Sequence, residues 1–136
     1  LTMVQLHGDE GPAYCAEVAR RTGCRVAKAV RVRSLADMRR IEAFHTDFHL
    51  LDSFARDLRG GTGVPFDWEL ARRRRGDVPI ILSGGLTADN VGQGIATARP
   101  FAVDVVSGVE AEPGIKDPAR LQAFFEAVRQ SAPVTA

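Results

Sequence analysis

Long apolar stretches, cysteine and net charge are all scarce in this 136-residue chain. The longest apolar runs, such as Val78-Pro79-Ile80-Ile81-Leu82, fall far below the ~20 residues that cross a bilayer. The chain also does not open on a charged start, an apolar stretch and a small-residue cleavage site, so a cytoplasmic protein without a membrane partner is expected. Cys15 and Cys24 form no CxxC pair and have no nearby histidine, which argues against a disulfide framework or a zinc site and for two small semi-buried side chains. With 18 basic and 17 acidic residues the net charge is +1, giving no general electrostatic reason to expect nucleic acid. The cationic run Arg72-Arg73-Arg74-Arg75 lacks interleaved aromatics for base stacking. It falls at the end of a helix begun near Asp67, where cations complement the negative end of the helix dipole.

What the chain does have is 45% apolar residues, enough for one globular domain over residues 1–136. Short β-branched runs alternate with longer stretches of 3.6-residue period, an order that implies an α/β protein with a parallel sheet. The spacing predicts strands at Met3-Leu6, Val26-Val30, Phe48-Leu51, Pro79-Leu82 and Ala102-Val106. Their nearly continuous apolar character suits strands covered on both faces. Helix signals fall between them. Ser34 followed by Asp37 resembles a capping box, Pro12 and Pro118 suit a first helical turn, and Gly23 suits a C-cap. Leu121, Phe124, Phe125 and Val128 form an apolar stripe opposite Arg120, Gln122, Glu126 and Arg129 in the last helix.

In parallel α/β arrays the loops after the strands' carboxyl ends converge on one rim, where chemistry is normally built. Four of the five predicted strands end there in polar or glycine-rich groups, in His7-Gly8-Asp9-Glu10, Asp52-Ser53, Ser83-Gly84-Gly85, and Asp104 with Ser107-Gly108. Gly84 and Gly85 precede a helix start at Thr87-Ala88-Asp89-Asn90. With Ser107 and Gly108 after the next strand, they suit a phosphate, because glycine permits close backbone approach and helix-start N–H groups favour an anion. Asp52, ending an apolar strand, is the candidate for proton transfer; its structural alternative is to cap the following turn. His7 either orients substrate or packs at the rim against a backbone carbonyl. Asp104 either binds a sugar hydroxyl or is held by neighbouring backbone. The long glycine-rich segment from Arg56 to Pro65, with Gly60, Gly61, Thr62 and Gly63, reads as a flap over the site or as a purely structural loop.

The strings VQLHGDE (Val4-Glu10), LLDS (Leu50-Ser53), GGTGVPFDW (Gly60-Trp68), ILSGGLTADNV (Ile81-Val91) and RPFAVDVVSGVE (Arg99-Glu110), in this order, closely resemble phosphoribosylanthranilate isomerase of tryptophan biosynthesis. The resemblance implies a (β/α)8 TIM barrel and an Amadori rearrangement of N-(5-phosphoribosyl)anthranilate without cofactor or metal. It makes Asp52 the acid that opens the sugar ring. It places the phosphate on Gly84, Gly85, Ser107 and Gly108, a ribose hydroxyl on Asp104, and the flap of Gly60 to Gly63 over them. One departure is Val106, where the family often has serine; its side chain is expected to face the barrel interior.

The family's base is a cysteine in a KxCG motif ending the first strand, and its anthranilate carboxylate is met by an arginine from an early strand; neither motif occurs in this sequence. Cys15 and Cys24 do not occupy a matching position. Three further βα units of about 25 residues would bring the chain to roughly 200, the lower range for a barrel. The expectation is therefore a partial TIM barrel, strands four to eight, inactive alone and prone to self-association through open sheet edges. The alternatives are another phosphosugar isomerase or epimerase, and a non-catalytic phosphosugar-binding half-barrel.

Overall fold

The structure is a computed structural model, and it describes residues 1–52 and 68–131. All five expected strands form, as β1 (Met3–Leu6), β2 (Arg25–Arg31), β3 (Phe48–Asp52), β4 (Ile80–Ser83) and β5 (Ala102–Val103). They make one parallel sheet in the order β1-β2-β3-β4-β5. Strand order therefore never reverses. Right-handed crossovers in an unreversed order carry every connecting helix to the same face of the sheet.

The helices are α1 (Pro12–Thr22), α2 (Leu35–Ile41), α3 (Trp68–Arg72), α4 (Val91–Ala98) and α5 (Pro118–Ser131). Their ends follow the local chemistry. Pro12 occupies the first turn of α1, and Gly23 closes it at φ 67, a left-handed conformation that glycine adopts without strain. The Ser34–Asp37 box is complete in both directions at the start of α2. The arginine run begins at the last residue of α3 and continues past it.

The register assigns the two faces of the sheet. Leu51 pairs with Leu82, and His49 with Ile80. Leu51, Ile80 and Leu82 share one core with Met38 and Ile41 of α2, Trp68 and Ala71 of α3, Val91 and Ala98 of α4, and Phe124 of α5. Lys28 pairs with His49 and so belongs to this helix-facing side. The opposite face carries Gln5, Ala27, Ala29, Leu50, Ile81 and Ala102.

Two expectations are corrected. Strand β5 stops at Val103, although the Asp104 N–H still donates to Leu82 O at 2.8 Å. The chain then turns at Val106 (φ −120, ψ −81), a residue 61% exposed, into a 3-10 turn, Ser107–Val109. In α5 the buried stripe is narrower than expected. Phe124 is buried, with Leu121, Ala127 and Val128 against the core, whereas Phe125, one residue round the helix, faces solvent. A hairpin that the sequence reading did not anticipate follows the 3-10 turn, with β6 (Glu110–Glu112) antiparallel to β7 (Ile115–Lys116). The intervening Pro113-Gly114 supplies the turn, with Gly114 at φ 83.

Candidate active site

Residues paired in a parallel register point to the same side, and side chains alternate along each strand. Asp52 pairs with Arg31 and with Ser83, so all three lie on the face turned away from the helices, at the carboxyl ends of their strands. His7, one residue past β1, joins them, its Nε2 lying 3.5 Å from Asp52 Oδ2. The other ring nitrogen, Nδ1, meets Gln5 Nε2 at 3.2 Å. Among the described residues His7 thus takes side-chain partners, not the backbone carbonyl that was one of its two readings. Asp104 likewise is held by a side chain, with Ser83 Oγ donating to its Oδ2 at 2.9 Å. Histidine, two aspartates, a serine and an arginine from five consecutive strands therefore share one rim.

The two glycine turns meet. Ser83 is followed by Gly84 at φ 84 and Gly85 at φ 64, conformations open chiefly to glycine. The turn is closed by Asn90, whose Oδ1 accepts from Thr87 N at 2.8 Å and whose Nδ2 donates to Gly85 O at 3.0 Å. Asn90 also caps α4. The second turn lies against it so closely that a Cβ on Gly108 would fall 1.8 Å from Leu86 O, a distance no side chain tolerates. Only glycine fits there. Behind the second turn, the hairpin braces it through Lys116, whose Nζ donates to Val106 O and to Glu110 Oε1, both at 2.8 Å. The loop leading into α4 and the 3-10 turn thus lie side by side, following the strand ends that hold Ser83 and Asp104.

The cysteines are elsewhere. Cys15 is buried within α1, where burial pushes its thiol up from the ordinary range. Cys24 lies just before β2, at the opposite end of the sheet from the rim, its Sγ donating to Leu1 O at 3.2 Å. Neither reaches Asp52. The flap residues Gly60, Gly61, Thr62 and Gly63 lie outside the described residues.

Two features escaped the sequence reading. Arg31 ends β2 in register with Asp52, which only strand pairing reveals. Lys28, 2% exposed in the middle of an apolar strand, donates to Gly8 O at 2.6 Å and to Glu10 Oε2 at 2.7 Å. A charged residue inside such a run signals a fixed partner, because an unpaired buried charge is costly. The Lys28 hydrogen bond in turn holds Glu10 below the usual carboxylate range. Beside them, His7, Lys28, Arg31, Asp37 and Arg40 line an open cleft of about 630 Å³.

Residues 1–127 match the family model described as N-(5'phosphoribosyl)anthranilate (PRA) isomerase. The chain belongs to the phosphoribosylanthranilate isomerase family. A curated isomerase of this name from Geobacter sulfurreducens is 45% identical over 125 residues, covering 92% of this chain and 60% of the relative. The crystal structure of phosphoribosyl anthranilate isomerase from Thermotoga maritima superposes with a TM-score of 0.78 at 39% identity, covering 96% of this chain and 62% of that one. A phosphoribosyl anthranilate isomerase solved in complex with reduced 1-(o-carboxyphenylamino)-1-deoxyribulose 5-phosphate superposes at 0.74, also at 39% identity, covering 96% and 60%. The chain thus spans about 60% of the length of the isomerases it matches.

Proposed function

We propose that this chain carries the acid and phosphate-binding part of a phosphoribosylanthranilate isomerase site, within five of the eight βα units of a TIM barrel. The observation that carries the reading is the contact of Gly108 with Leu86 O, which joins the two glycine turns beside a rim holding Asp52. The unreversed strand order and a second face without helices among the described residues support the barrel, since a closed barrel has helices only outside.

The chemistry follows from the residues. The backbone of Gly84, Gly85, Ser107 and Gly108, with the start of α4, receives the 5'-phosphate. Asp104, oriented by Ser83 Oγ, accepts from a ribose hydroxyl. Asp52 as a carboxylic acid gives its proton to the furanose oxygen, the ring C–O bond breaks, and the anilino nitrogen's lone pair forms a Schiff base at C1. Loss of the C2 proton then gives the aminoenol, which becomes the 1-amino-ketose. His7, against Asp52, orients the acid. The reading assigns the C2 base to no described residue, so the isolated chain is expected to bind the phosphosugar without turning it over. The edge strands β1 and β5 leave ladder groups for self-association.

The test is a pair of measurements. Titration calorimetry with the reduced deoxyribulose-phosphate analogue should show binding that Asp52→Asn retains and that a substitution at Gly108 abolishes. Anthranilate fluorescence should change on incubation with substrate only when a polypeptide carrying units one to three of a related isomerase is added. Absence of analogue binding by the parent chain would overturn the phosphate assignment, and turnover by the chain alone would overturn the division of labour.

A further inference from the structure

We propose that Lys28 is a positioning residue, clamping the loop after β1 so that His7 is held against Asp52; this rests on the reading of that pair as the reacting part of the site. The clamp comes from the far side of the sheet. Lys28 lies on the helix-facing side of β2, its side chain 3% exposed, while His7 stands on the opposite, rim side. Its ammonium reaches upward to Gly8 O at 2.6 Å and to Glu10 Oε2 at 2.7 Å, and Phe44 presents its ring face 5.6 Å away. Glu10 closes the turn by accepting from Gly8 N at 2.9 Å. Both polar groups of Gly8, the residue next to His7, are therefore bound by the Lys28–Glu10 pair.

The other restraints on His7 are weaker. Its side chain is 43% exposed, and its contacts among the described residues are to Gln5 at 3.2 Å, also exposed, and to Asp52 at 3.5 Å. Nothing in those two contacts fixes the path of the backbone after β1. The ammonium and carboxylate do fix it, and an ion pair whose cation is shielded from water resists salt and thermal fluctuation better than exposed partners do. A tether to the backbone of the adjoining residue sets where the imidazole can stand.

The experiment is solution NMR on the full chain, reading cross-relaxation between the His7 ring protons and the Asp52 β protons, with the backbone amides of β4 (Ile80–Ser83) as a reference for the fold. In Lys28→Met and in Glu10→Gln the His7–Asp52 signal is expected to fall to less than half while the β4 amides stay in place. A role confined to stability would lower the melting temperature and leave that signal intact in the folded molecules. Retention of the signal in Glu10→Gln, which acts from the exposed side of the pair and decides the matter should Lys28→Met not fold, overturns the proposal. The measurement needs no turnover, so failure of analogue binding by the parent chain would count against the functional reading alone.

Discussion

Lys28 and His49 sit side by side in register, two ionisable groups in the layer between sheet and helices, each satisfied in a different way. Lys28 brings its own anion, Glu10, at 2.7 Å. His49 donates from Nε2 to Phe44 O at 2.8 Å, and burial holds it below the ordinary histidine value of 6.5. The sign follows from proton binding. Below that value the unfolded chain takes up a proton that the folded chain refuses, so stability is full above it and is lost as the pH falls through the lowered folded value. Urea midpoints measured from about pH 8 down to about pH 5.5 should decline, and His49→Gln should flatten the decline. Glu10 acts in the same direction in a lower window, beginning below its ordinary 4.5. The sequence showed His49 at a strand start but not its partner, because Phe44 O arrives only when the turn after α2 folds back on the start of β3. Asp104 shows the same limit, since Ser83 is 21 residues away and neither reading of the sequence included it.

Elements were most legible where one residue type answers one backbone need. The Ser34–Asp37 box, Pro12 and Gly23 each satisfy groups within a few residues, so local sequence sufficed. Ser34→Ala should cost about 1 kcal/mol in chemical denaturation, the usual loss for a capping hydroxyl. The end of β5 and the β6–β7 hairpin were less legible. Ala102-Val103-Asp104-Val105-Val106 reads as a strand by propensity, yet the chain must leave the sheet after Asp104 to bring Gly108 against the preceding turn. That demand is tertiary. Gly108→Ala puts a methyl group where Leu86 O now lies, so the two turns must separate. Affinity for the phosphosugar analogue should fall at least tenfold by calorimetry, about 1.4 kcal/mol.

At the scale of the molecule, one core runs from Val32 and Met38 near the amino-terminal half to Val109 and Phe124 near the carboxyl end. Its members come from every unit but the first, so these units should unfold together. Trp68, the chain's single tryptophan, is 5% exposed in that core, and its emission and far-UV circular dichroism should trace the same transition. Phe124→Ala should lower both midpoints together, by about 3–5 kcal/mol of stability. The unreversed strand order also separates two kinds of surface. Arg31, Asp52 and Ser83 stand at one end of the sheet, whereas Cys24 stands at the other, and its companion thiol, Cys15, is sealed in α1 at 1% exposure. A maleimide dye or a solid support attached through sulfur would therefore couple at a single position and leave the rim of His7 and Asp52 facing the bulk, giving an oriented film or a fluorescent reporter without any engineered handle.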